Sequence, residues 1–229
     1  MKKLDSLSFV LPAYNEEKNI RNVIHDALKT LPQYTNKFEI LVVDDGSKDK
    51  TVEIVNSIIN DSLKIIKHSK KIGSGAAIWK GFLSARYDYI FYTDADGQFN
   101  ISDLHLLIPF VKSNEIIMGY RKNRKDNLIR RIYGRVWNLL INLIFSLNVK
   151  DVNCAFKLFK KEVISKISIK SKGAFTNTEI LVKARKLGYK WKEVEIQHYP
   201  RICGKQTGGK AKVIFKGFYE LIRYYKDLK

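Results

Sequence analysis

Cysteine and proline are scarce in this 229-residue chain, which has two of the first and four of the second. Cys154 and Cys203 show no CxxC or CxxH spacing, which excludes a disulfide framework and predicts reduced thiols in a cytosolic protein. The four histidines are scattered without metal spacing, although His198 falls beside a candidate site loop. Long apolar runs are also missing. No segment supplies the ~20 unbroken apolar residues of a spanning helix. The nearest stretch, 136–149, is interrupted by Asn138, Asn142, Ser146 and Asn148. The basic N-terminus is followed by an apolar run too short for a signal peptide, so any membrane contact is expected to be peripheral, from the cytoplasmic side. Negative charge is the last shortage: 23 Asp and Glu stand against 42 Lys and Arg, a net charge of +19. Such a surplus predicts an anionic partner, whether nucleic acid, a lipid surface or a phosphorylated substrate. No helix-turn-helix, RNP-like or zinc-finger pattern accompanies the charge, so nucleic acid is not expected.

The length suits one α/β domain spanning 1–229. Through residue 120, short β-branched and aromatic runs (8–11, 38–43, 63–66, 89–93 and 115–118) alternate with helix-period segments, the pattern of a mostly parallel sheet covered on both faces. The first helix is expected from Glu16, capped by Asn15, and to stop before Pro32. Others are expected at 49–59 and 75–85, with a short one capped by Ser102. Beyond residue 121 the character changes. A basic, apolar helix over 127–147 precedes a strand near 154–159, Thr176 to Glu179 has capping-box spacing, 191–198 alternates like an edge or antiparallel strand, and 210–228 reads as a terminal helix rich in aromatics and lysine.

In an open α/β sheet, ligands bind beyond the carboxyl ends of the strands. Here those ends read Pro12-Ala13-Tyr14-Asn15-Glu16, Asp44-Asp45-Gly46-Ser47 and Asp94-Ala95-Asp96-Gly97-Gln98. Asp94 and Asp96, two carboxylates two residues apart on an apolar strand end, are costly to enclose without a cation. Mg²⁺ or Mn²⁺ resolves that cost and completes its shell with water and phosphate oxygens, which implies a diphosphate substrate. The bland alternative is an Asx turn. Asp44 and Asp45 sit where an acidic residue can accept hydrogen bonds from a ribose or a base.

Taken in order, Val10 to Glu17, Val42 to Ser47 with Asp49 and Thr51, Gly73 to Ala77 with Gly81, and Thr93 to Gln98 resemble the GT-A glycosyltransferase family 2. Gly119-Tyr120-Arg121, Asp151 to Lys157 and His198 to Lys205 narrow the resemblance to its dolichol-phosphate mannosyltransferase-like branch. The resemblance implies a GT-A fold, a nucleoside-diphosphate sugar donor (GDP-mannose or a UDP-sugar), a polyprenyl phosphate acceptor and Mg²⁺ or Mn²⁺. It places Pro12, Ala13, Tyr14, Glu16, Asp44, Asp45, Asp94 and Ala95 on the nucleotide sugar. Asp94, Asp96 and Gln98 would hold the metal, and Arg121, Arg131, Arg201 and Lys205 would surround the phosphates, with Asp96 in the catalytic set. Two departures stand out: Ala155 replaces the glycine usual before Phe-Lys, and residues 204–209 replace a simple Gly-Lys-Ser.

An anionic acceptor phosphate needs positioning and charge cancellation rather than a general base, and arginine supplies both. The segments 127–147 and 210–228 combine basic and apolar side chains, which suits helices lying in a membrane interface; core packing is the alternative. A family member acting on a saccharide hydroxyl would need a base, for which Glu179 is the candidate.

Overall fold

The computed structural model describes residues 3–122, 124–125, 128–201, 203–204 and 211–228. Seven strands form one sheet: β1 (Leu7–Ala13), β2 (Phe38–Asp44), β3 (Leu63–Lys67), β4 (Tyr89–Thr93), β5 (Ile116–Arg121), β6 (Phe156–Lys160) and β7 (Trp191–Ile196). Their spatial order is β3-β2-β1-β4-β6-β5-β7, and β6 alone runs against its neighbours. The alternation of side chains along each strand sends Val10, Leu41, Val43, Ile90, Tyr92 and Met118 into one core layer. Phe9, Leu11, Ile40, Val42 and Phe91 enter the other. With apolar residues pointing both ways, these strands are stable only when covered on both faces.

Helices α1 (Ile20–Tyr34) and α2 (Thr51–Asn56), with 3₁₀ turns at 101–110, pack on the second face. Helices α3 (Ser74–Ser84), α4 (Leu128–Phe145), α5 (Lys161–Lys166), α6 (Thr176–Lys186) and α7 (Ala211–Leu228) cover the first. Gly81 lets α3 lie directly on β1 and β2, because a Cβ there would run into Val10 and stand 3.0 Å from Val43.

Several local expectations are corrected. Asn15 does not cap α1: it sits at φ 55°, its side chain accepts from Lys48 N–H, and the helix begins at Ile20. The helix also runs through Pro32 to Tyr34, since a proline in the final turn forfeits a single hydrogen bond. Asn100, not Ser102, caps the 3₁₀ turn. The capping box at Thr176 is not formed, because Glu179 turns to the backbone N–H groups of Lys170 and Ser171. Of the two readings of 191–198 the structure bears out the edge strand: β7 ends the sheet and pairs parallel to β5.

Both amphipathic helices have two working faces. In α4, Trp137 and Ile141 are buried, whereas Leu128, Ile132, Val136, Leu139 and Leu143 are each more than half exposed. In α7, Leu221 and Leu228 are buried while Phe215, Tyr219 and Ile222 face outward. The helices meet where Trp137 packs edge-on against Phe218 at 5.2 Å. Among the described residues, no helix is long and apolar enough to cross a membrane.

Candidate active site

Because β1, β2 and β4 are adjacent and parallel, the loops leaving them share one end of the sheet. β6 runs the opposite way, so residues 151–155, which lead into it, arrive at that same end, and β5 finishes there at Arg121. A cavity of about 260 Å³ opens where these segments converge.

One wall is acidic. Pro12, Tyr14 and Glu16 come from the loop after β1, and Asp94, Ala95 and Asp96 from the loop after β4. Asp94 is open to the cavity, yet the surrounding protein shields it from bulk solvent, and this, with the Asp96 charge, pushes its carboxyl up to about 7. Enclosure also raises Asp96, against the opposing pull of the Gln98 N–H and Arg201. Arg201 spans this wall, donating to Glu16 at 2.5 Å and to Asp96 at 3.3 Å while its Nε donates to the Cys203 carbonyl at 2.7 Å. The donor set fits a hard divalent cation, because two close carboxylates held toward neutrality gain most from a 2+ charge. Among the described residues no three His, Cys, Asp or Glu side chains are grouped around one point, so a cation held by Asp94 and Asp96 would need oxygens from other sources.

The facing wall is basic. Arg121, Arg124 and Arg130 line it, with Tyr133 and Gly134 of α4. Arg121 is forked onto Asp151, with Nε–Oδ2 at 2.6 Å and Nη2–Oδ1 at 2.8 Å. Burial alone would raise the Asp151 carboxyl, but Arg121, helped by Arg124 and Lys157, outweighs it and holds the group below its usual range. The floor is polar: the Tyr92 hydroxyl donates to Asn177 Oδ1 at 2.6 Å, and the buried Lys157 ammonium donates to Asn177 Oδ1, the Val152 carbonyl and the Cys154 carbonyl. Burial brings Lys157 down to about 8. Its two carbonyl contacts pin the 151–155 segment that carries Asp151.

The structure therefore gathers Pro12, Tyr14, Glu16, Asp94, Ala95, Asp96, Arg121 and Arg201 around one cavity. It leaves other candidates off the cavity wall. Ala13 is buried in β1. The Asp44 carboxylate accepts from the N–H groups of Gly46 and Ser47. Asp45 accepts from Ile72 and Gly73 N–H at 3.0 and 2.9 Å and faces His68, which braces the entry to α3. Gln98 is buried and donates to the Tyr199 carbonyl, tying the 94–98 loop to the segment carrying Arg201. His198 is likewise buried and accepts from Lys125 N–H. Arg131 points away from this cavity, and Arg130 takes the inward position. Lys205 lies outside the described residues.

The sequence reading gave no site role to Arg124, Asp151, Tyr92 or Asn177, and of the arginines on the basic helix it placed Arg131 rather than Arg130 at the phosphates. A helical signal existed for Arg130, since 130, 133, 137 and 141 share the face that carries the buried Trp137 and Ile141. Nothing local marked Arg124 or Asn177.

A cavity at the carboxyl ends of a doubly wound sheet, with paired acids on one side and guanidinium groups on the other, lies where open α/β sheets bind their ligands. Residues 8–168 match the profile of glycosyl transferase family 2, and the chain belongs to that family. It is 32% identical to dolichyl-phosphate beta-glucosyltransferase ALG5D of Trichomonas vaginalis, over 83% of this chain and 65% of the relative. It is 30% identical to the dolichyl-phosphate beta-glucosyltransferase of Saccharomyces cerevisiae, over 97% of this chain and 72% of that protein. The chain thus spans about 65% of the length of the first of these relatives. In fold it is similar to glucosyl-3-phosphoglycerate synthase of Mycobacterium tuberculosis, solved with Mn²⁺, UDP and glucosyl-3-phosphoglycerate. The TM-score is 0.77 at 14% identity, covering 97% of this chain and 80% of that one. The likeness establishes the GT-A fold.

Proposed function

We propose that this chain transfers glucose from UDP-glucose to a polyprenyl phosphate of the dolichyl type, with inversion at the anomeric carbon, at the cytoplasmic surface of a membrane. The observation that carries this reading is the division of one cavity into an acidic wall of Glu16, Asp94 and Asp96 and a basic wall of Arg121, Arg124 and Arg130. The choice of glucose and of a dolichyl-type acceptor rests on the relatives' own substrates.

The acidic wall suits the donor. Asp94 and Asp96 would hold Mg²⁺ or Mn²⁺, which as a Lewis acid stabilises the departing diphosphate. Pro12 and Tyr14 flank these carboxylates and can seat the nucleoside. Arg201 already lies against Asp96, within reach of a diphosphate bound there. The basic wall suits the acceptor. A phosphate monoester is anionic at neutral pH, so its oxygen attacks without a general base, provided that its repulsion from the donor diphosphate is cancelled. Arg121, made rigid by its fork onto Asp151, and Arg130 supply that cancellation. A saccharide hydroxyl would need a base. Glu179, the candidate for that role, accepts from the backbone of Lys170 and Ser171 and from Lys183 and does not line the cavity. The exposed stripes of α4 and α7 would hold the protein on lipid, each nearby basic side chain adding about 1 kcal/mol on an anionic surface.

The test is transfer of radiolabelled glucose from UDP-glucose into an organic extract containing dolichyl phosphate, with Mn²⁺ or Mg²⁺ and with chelator. Metal-dependent label in the lipid phase is expected. Donor hydrolysis with no lipid product, or label that appears only with GDP-mannose, would overturn the assignment.

A further inference from the structure

A second cavity, of about 320 Å³, lies on the other side of α4. It shares Arg121, Arg124, Gly134 and Asp151 with the candidate active site, so those residues form a partition between the two compartments. Gly134 makes the partition thin, because the Arg124 guanidinium lies where a side chain on that turn of α4 would stand. The rest of the lining is strongly cationic. Lys122, Arg131, Arg135 and Lys150 face a space whose one carboxylate among the described residues, Asp151, is already forked by Arg121. Lys122 shares an exposed pair with Glu195, and the Lys150 ammonium lies 4.3 Å from the Tyr120 ring. Arg131 and Arg135 make no ion pair with any described residue.

Such a cluster is self-repelling and is relieved by a bound anion. Its position says which kind. Leu139 borders the cavity and belongs to the exposed stripe of Leu128, Ile132, Val136 and Leu143. A ligand seated here meets several cations at its head and hydrocarbon contacts beside them, which is the chemistry of an anionic amphiphile.

We propose that the second cavity is a site for the phosphate headgroup of an anionic membrane phospholipid, held chiefly by Arg131 and Arg135, with its acyl chains against the apolar stripe of α4. The proposal rests on the reading of the chain as one that works at a lipid surface. It assigns this phosphate to a compartment separate from the one that receives the acceptor. A second copy of the chain is a poorer occupant, since an isologous contact across this face would bring like charges together on a chain of net charge +19. Occupancy would seat the Arg121–Asp151 partition against lipid and so link the membrane's composition to the wall of the catalytic cavity.

The experiment is cosedimentation of the intact chain with phosphatidylglycerol or phosphatidylcholine vesicles, without donor or metal. It compares wild type, the pair Arg131→Gln/Arg135→Gln, and the charge-matched exposed pair Lys29→Gln/Lys112→Gln. The wild type is expected to prefer phosphatidylglycerol. The arginine pair should lose about ten-fold or more in affinity for it and the lysine pair about two-fold or less. Leu139→Gln, which keeps the charge, should also weaken binding. Equal losses in both pairs would reduce the effect to diffuse attraction and overturn the site. Displacement from vesicles by inorganic phosphate at the concentration that matches phosphatidylglycerol headgroups would make it a free-phosphate site. A dimer abolished by Arg131→Gln/Arg135→Gln, with no vesicle binding, would make the face a self-interface. Intact, Arg131-dependent vesicle binding alongside silence in the glucosyl-transfer assay would sink the enzymatic reading and leave this one standing.

Discussion

The two walls of the cavity are built in opposite ways. The acidic wall is local: Glu16, Asp94 and Asp96 lie within a few residues of a strand end, and the strand sets their direction. The basic wall is assembled from afar. Arg121 ends β5, Arg130 projects from α4, and Asp151 enters from the segment before β6. The acids are enclosed with like-charged neighbours and held toward neutrality, whereas Arg121 and Asp151 are held charged by each other. The acidic wall, where Arg201 pairs with Glu16 and Asp96 while Asp94 stays raised, therefore suits a further cation, and the basic wall is stiffened by the Arg121–Asp151 fork.

The sharpest way to break this contrast is at the basic wall. Arg121→Met removes the forked partner of Asp151, whose side chain is only 12% exposed, and should cost about 3–5 kcal/mol in urea unfolding, Arg124 and Lys157 compensating only in part. Arg121→Met/Asp151→Leu should recover much of that stability without recovering transfer. The Asp151 carboxyl is held below its ordinary value of 3.8, so this contribution is fully present above about 4 and fades as pH falls further.

At the acidic wall the loss should fall on the chemistry. Asp96→Ala is expected to lower glucosyl transfer by about 100–1000-fold with little change in melting temperature. A comparable fall in stability would show that Asp96 serves the fold instead.

The floor between the walls gives a smaller, pH-dependent effect. Lys157 falls from its ordinary 10.5 to about 8 through burial, so the unfolded chain holds a proton there that the folded chain releases. Its cost to stability is fully present below pH 8 and diminishes as pH rises towards 10.5. Wild type should gain stability relative to Lys157→Met over that range, on the order of a few kcal/mol. A flat difference between the two unfolding curves would show that Lys157 does not titrate there. Smallest of all, Gly134→Ala should add up to about 1 kcal/mol through helix propensity while raising the acceptor KM a few-fold, because the new methyl displaces Arg124 from the partition. An unchanged KM would remove the partition from the acceptor's path.

The sheet and the acidic loops were legible in the sequence for one physical reason: a strand end and its turn are encoded within a few consecutive residues. The alternation of apolar runs located β1 to β5, and Asp94 and Asp96 stand next to the strand that aims them. Turn chemistry blurred the helix starts, since Asn15 and Thr176 carry capping residue types but serve loop contacts instead. What the linear chain determined by itself was the doubly wound pattern, the paired carboxylates, the +19 charge and the two amphipathic helices. Tertiary structure alone decided which arginine turns inward, which partner Asp151 finds, and that Asp44, Asp45 and Gln98 brace loops rather than line the cavity. The placing of Arg121, Arg130 and Asp151 depends on the reversal of β6, which brings residues 151–155 to the site, and on the rotation of α4 about its own axis, which the burial of Trp137 and Ile141 in a core shared with distant segments fixes.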